Sequence, residues 1–181
     1  FILKQTFDYK NVPFYIILGI LAGFISLYYA RVFKATEHRV HAWKMNPYVK
    51  AGIGGLLLMS IYFVLPPLFG EGYNSIKSVA GGSFTSFTDN TKLLSKLGEN
   101  WSIIAFAALI VLFKPVAAAI TIGSGGNSGN FAPSLFTGSY LGFVFAKLIN
   151  AMPWIKIPVS NFSLVGMAGV LSGVMYCPLT S

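Results

Sequence analysis

Few residues in this chain have the types and spacing to do chemistry. Glu37, His38 and His41 offer oxygen and nitrogen ligands to a metal ion, but the trio lacks a fourth ligand. It also stands among Arg31, Lys34, Arg39 and Lys44, whose charge repels cations. It reads instead as a solvated helix extension. Ser124, Ser128 and Ser134 carry hydroxyls, yet no His or Asp lies near them in sequence to activate a nucleophile. Glu71 is an acid able to carry a proton, but it stands in the polar stretch from Gly70 to Asn100, and there it reads as solvated. The single cysteine, Cys177, excludes an internal disulfide and a cysteine cluster for metal. What remains is Gly123 to Pro133, Gly-Ser-Gly-Gly-Asn-Ser-Gly-Asn-Phe-Ala-Pro.

This stretch holds four glycines and a closing proline, yet it lies between two apolar segments, Trp101–Ile122 and Ser134–Ile149. Glycine leaves its N–H uncovered, and Pro133 suits the first turn of a helix that continues into Ser134, Leu135 and Phe136. The first N–H groups of a helix have no internal partners and carry partial positive charge, so the stretch reads as an anion cradle at a helix start. A site without a fixed countercharge favours weak, reversible binding, which conduction requires. Nucleotide readings fail. A phosphate loop needs Gly-Lys-Ser/Thr where Gly129 is followed by Asn130, and a dinucleotide fingerprint counted from Gly123 ends on Ser128 instead of glycine. Upstream, Lys114-Pro115 interrupts Trp101–Ile122 near its middle. Two readings of Lys114 stay open: a positive field beside an anion path, or a side chain that snorkels or pairs with a carbonyl freed by the proline.

The elements that position these residues are transmembrane. Hydrophobic residues make up 55% of the chain and charged residues 10%, with mean hydropathy +0.68; a typical soluble domain is about 25% charged. The apolar segments lack the alternation of a membrane barrel, so the fold class is an all-α, multi-span membrane protein. Phe14–Ala30 and Val49–Phe69 each suit one crossing, Trp101–Ile122 a third. Ser134–Ile149 reads as a shorter helix that begins part-way through the membrane, and Phe162–Cys177 as another short helix broken at Pro178. Gly19 and Gly23 have the small-xxx-small spacing of a close helix contact, or are small residues of the kind common in membrane helices; Gly166, Gly169 and Gly173 read as a packing face. The net charge of +8 sits in the connections, chiefly Arg31 to Lys50, which the positive-inside rule places in the cytoplasm. No basic stripe for nucleic acid is present. The chain starts without Met, stops just after an apolar run, and is taken for a fragment.

Gly-Ser-Gly, a glycine-rich spacer and Gly129-Asn130-Phe131-Ala132-Pro133 resemble the Gly-x-Phe-x-Pro signature of the CLC chloride channels and chloride/proton antiporters. Tyr15 to Gly23, His38-Arg39-Val40-His41, Gly70-Glu71-Gly72-Tyr73-Asn74, Lys114 and Ala168 to Thr180 extend the resemblance over nearly the whole chain. It implies that residues 1–181 are a partial CLC-type transmembrane domain, the second repeat incomplete at both ends, within an inverted-repeat architecture of short, tilted and broken helices. It implies an anion site at Gly129, Asn130, Phe131 and Ala132, with the N–H groups of Asn130 and Phe131 as donors. It also implies a homodimer through the Phe14–Ala30 helix, and a location in a bacterial inner membrane. Asn130 stands where the family usually has an apolar residue and Ser128 where it often has glycine, departures that bear on anion selectivity. The serine motif, gating glutamate, inner proton glutamate and pore tyrosine of the family are not in the sequence, which leaves channel and antiporter unseparated.

The expected function is transport of chloride or a similar small anion, with chloride as substrate, no cofactor, the lipid bilayer as surroundings and no enzymatic activity. The alternatives are a membrane-embedded enzyme holding an anionic group at the glycine-rich helix start, or a cation-coupled transporter. The latter calls for carboxylates at membrane depth, and none of the five acids lies in an apolar segment.

Overall fold

The computed structural model describes residues 9–69, 99–151 and 156–176. Glu71 and the rest of residues 70–98, Pro153 and Trp154, and the stretch from Cys177 to Thr180 lie outside these. Among the described residues the secondary structure is helical: α1 (Val12–His41), α2 (Pro47–Val64), α3 (Glu99–Gly123), α4 (Phe131–Asn150) and α5 (Val159–Met175), with short 3-10 turns at Tyr9–Asn11 and Pro66–Leu68. The first four are long and apolar enough to cross a membrane.

Prolines set the starts. Pro13 and Pro47 occupy the first turns of α1 and α2, where a missing N–H leaves no bond unmade, and the Asn46 side chain caps α2 by accepting from the Tyr48 N–H at 3.3 Å. Helix α1 continues past the apolar run Phe14–Ala30 to His41, so Glu37, His38 and His41 lie on a helix extension as read. At about 1.5 Å per residue its 30 residues outreach a hydrocarbon core of about 30 Å. The added turns carry exposed His38, Arg39 and His41 at the C-terminal end, where the helix dipole favours cations. Pro115 does not break α3, which is continuous through it. The largest departure is α4: it starts at Phe131 instead of Ser134 and has 20 residues, so it is not short for a crossing. Pro133 is the reason. With no N–H to satisfy, it sits inside the first turn and not at its edge.

The core is a bundle of α1, α3, α4 and α5. Helices α4 and α5 approach backbone to backbone: a methyl group on Gly138 would strike the Gly166 carbonyl, and one on Gly142 the Phe162 carbonyl. Small residues permit that approach in a medium where lipid competes for every apolar contact. Gly169 and Gly173 receive Ala22 and Ser26 of α1, while Tyr15 stacks on Phe162 with ring centroids 4.4 Å apart. The packing role expected of the α5 glycines is therefore what the structure displays. A methyl group added at Gly19 or Gly23 would meet nothing within 4 Å among the described residues. They lie on the outer face of α1 with exposed Ile16, Ile20, Phe24 and Leu27. Helix α2 is also apolar outward, Leu56, Met59 and Phe63 being more than half exposed. An apolar exterior over a bundle with small-residue seams is the pattern of a membrane-embedded protein.

Candidate anion site

The glycine-rich stretch divides into two devices. Its first half ends α3. The Gly126 N–H bonds to the Thr121 carbonyl at 2.8 Å and the Gly125 N–H to the Ile122 carbonyl at 3.0 Å, the paired bonds of a Schellman cap, with Gly125 in the required left-handed conformation at φ 99°. Ser124, at the cap, donates its hydroxyl to the Ile120 carbonyl at 2.6 Å and packs on Gly54 of α2. Gly123 rests on Val40 of α1, whose Cβ would lie 3.0 Å from an added methyl. The turn is thus held by two other helices. Its flexibility in sequence becomes a fixed exit in structure.

The second half starts α4. Asn130 is its N-cap residue, but the Asn130 side chain makes no capping bond. Among the described residues, no acceptor meets the backbone N–H of Gly129, Asn130, Phe131 or Ala132, and Pro133 has none. The first intrahelical bond is Ser134 N–H to the Asn130 carbonyl, 3.2 Å. These N–H groups are the uncompensated positive end of α4.

They border a cavity of about 470 Å³ between α2, α3 and the start of α4. Of the four residues expected to hold an anion, Gly129, Phe131 and Ala132 line it. Asn130 does not: its Oδ1 accepts a hydrogen bond of 2.6 Å from the hydroxyl of fully buried Tyr29 on α1, so the side chain is turned away from the cavity.

Lys114 also lines the cavity, with 4% of its surface exposed. Its Nζ donates to the Leu68 carbonyl at 3.0 Å and lies 4.4 Å from the Phe136 ring centroid, so the ammonium is held by a carbonyl and an aromatic face. A carbonyl partner was one of the two readings of Lys114, but it is not a carbonyl freed by Pro115. It comes from the 3-10 turn after α2, where Pro66 and Pro67 end the helix and turn the chain back. Lys114 therefore satisfies a structural bond while its side chain forms part of the cavity wall.

Three contributors went unread in the sequence. Tyr62 of α2 and Thr121 of α3 put polar groups on the cavity wall, and Tyr29 engages Asn130. Tyr62 and Tyr29 each sit in an apolar span, where the hydroxyl of a tyrosine is the available signal.

The hydroxyls of Ser124 and Ser134 are committed to backbone carbonyls, Ser134 donating to Phe131 at 2.7 Å. Glu37, His38 and His41 form no metal-binding group, nor do any other His, Cys, Asp or Glu among the described residues.

Relatives among known proteins match nearly the whole of this chain. The chain is 29% identical to chloride channel protein CLC-f of Arabidopsis thaliana, over 97% of this chain and 23% of that protein. It is 26% identical to the voltage-gated ClC-type chloride channel ClcB of Escherichia coli, over 99% of this chain and 39% of that protein. It is 25% identical to a putative chloride channel protein ClcB-like of Ralstonia nicotianae, over 92% and 35%. The chain thus spans between about a quarter and two fifths of the length of these relatives. No solved structure matches it. The sequence profile of the voltage gated chloride channel family matches residues 1–181, the full chain, and with its apolar spans and free helix start this makes it an integral membrane protein that belongs to the CLC family.

Proposed function

We propose that this chain supplies part of the ion path of a protein that moves chloride, or a similar small anion, across a membrane. The observation that carries the reading is the start of α4. There N–H groups with no acceptor among the described residues border a cavity that the buried Lys114 also lines. Gly129, Phe131 and Ala132 would present N–H groups to the ion directly, and Asn130 would contribute its backbone N–H alone. Partial charges of this kind attract an anion and release it again, whereas a direct ion pair with a guanidinium would hold it. The names of the relatives, all chloride channel proteins, agree with this chemistry. Chloride is the substrate, and no cofactor enters the reading.

The enzyme alternative draws no support from Ser124 and Ser134, whose hydroxyls are donated to carbonyls of their own helix turns. Reconstitution of the full-length parent protein in liposomes loaded with chloride tests the proposal: chloride efflux is expected, and its absence at every pH and voltage overturns it. The same vesicles separate the two family mechanisms. A chloride gradient that drives protons uphill marks an antiporter, and passive chloride flux alone marks a channel. A homodimer through Phe14–Ala30 is a further proposal, for which the outward Gly19 and Gly23 leave room. Cysteine crosslinking at Ile20 in membranes tests it against a face covered by lipid. A bacterial inner membrane is the proposed location, to be checked by membrane fractionation.

A further inference from the structure

Asparagine is among the strongest N-cap residues because its side-chain oxygen reaches the free N–H groups of the first helical turn. At the start of α4 the third helical residue is Pro133, so such a cap would fall on the Ala132 N–H, one of the donors of the proposed anion. Asn130 stands at the N-cap position, yet its Oδ1 makes no cap. It is taken by the Tyr29 hydroxyl at 2.6 Å, and Tyr29 is itself fixed by complete burial and by a stack on Phe33 with ring centroids 6.1 Å apart. Tyr29 lies 101 residues away on α1, so the bond joins the core bundle to the site and is not a local turn contact. We propose that Tyr29 is a positioning residue that prevents the anion site from capping itself: by engaging Asn130 Oδ1 it holds Asn130 in its helical backbone conformation and keeps the N–H of Ala132 open to the ion. The proposal rests on the anion-site reading. It also gives a reason why a polar residue at position 130 need not project into the cavity.

Asn130 has the helical backbone φ −87°, ψ −10°, and removing the tyrosine hydroxyl frees it to turn to the extended conformation of a capping residue and accept from the Ala132 N–H. Tyr29→Phe is then expected to weaken chloride binding by about fivefold, the equivalent of one N-cap of about 1 kcal/mol competing with the ion. Tyr29→Phe with Asn130→Leu removes the competing oxygen and is expected to return the affinity to that of the wild type. A purely structural role for Tyr29 would not be rescued in this way. Asn130→Ser gives a second route with Tyr29 intact, since the shorter side chain falls short of the tyrosine and caps the helix. It should bind chloride more weakly than Asn130→Leu. Calorimetric titration of the detergent-solubilised full-length protein with sodium chloride reads all four. If the wild type binds chloride and Phe131→Pro weakens it, while Tyr29→Phe binds as the wild type does or Asn130→Ser matches Asn130→Leu, the role of Tyr29 is overturned and the site stands. If the wild type binds no chloride, or Phe131→Pro leaves its affinity unchanged, the site reading falls and the Tyr29 proposal with it.

Discussion

Phe131 matters through its backbone more than through its half-exposed ring. It is the first residue of α4, and its N–H has no acceptor among the described residues. Phe131→Pro deletes that donor at a position where helices accept proline. A hydrogen bond to a charged partner is worth about 1.5–3 kcal/mol, so chloride affinity is expected to fall about tenfold or more by calorimetry. Proline also disfavours the helical backbone of the residue before it, and Asn130 has φ −87° and ψ −10°. A stability loss of roughly 1 kcal/mol should accompany the change. Lys114 separates charge from packing in another way. Lys114→Met removes both the charge facing the cavity and the bond to the Leu68 carbonyl, whereas Lys114→Arg keeps the charge. Chloride flux in liposomes is expected to fall in the first and to recover toward wild type in the second; equal losses would make the role of Lys114 structural.

At the scale of elements, the seam between α4 and α5 and the cap of α3 are the sensitive places. Gly142→Ala forces a methyl against the Phe162 backbone, and overpacking of that kind costs about 1–3 kcal/mol. Gly23→Ala meets open space and should leave thermal stability unchanged in the monomer; a comparable loss in both would contradict the packing described. Gly125→Ala, at φ 99°, is expected to destabilise the protein by about 1 kcal/mol through its left-handed backbone. Much of this was legible in the sequence. Apolar length announced the spans, Pro13 marked a helix start, and Gly166, Gly169 and Gly173 marked packing positions, the first against α4 and the other two against α1. What was not legible depends on contacts remote in sequence. The glycine-rich stretch looked like one cradle because nothing local says that Gly125 and Gly126 spend their N–H groups on the end of α3. The start of α4 falls earlier than Ser134 because the apolar run begins only after the first turn, the turn to which Pro133 belongs. The partner of Lys114 is a carbonyl 46 residues away, and that of Asn130 a hydroxyl 101 residues away, so neither could be read from spacing.

Across the described residues, α1 and α2 turn apolar faces outward, while Lys114 and the first N–H groups of α4 border the cavity between α2, α3 and α4. Lipid can cover the first, and an anion suits the second. The central claim is that the start of α4 holds the ion. Anomalous diffraction from crystals of the full-length protein grown in bromide tests it most directly, because bromide substitutes for chloride and is located without assumption. The expected result is a peak in the cavity within hydrogen-bonding reach of the Phe131 N–H. A structure with bromide bound elsewhere in the path, and none at the start of α4, would contradict the account.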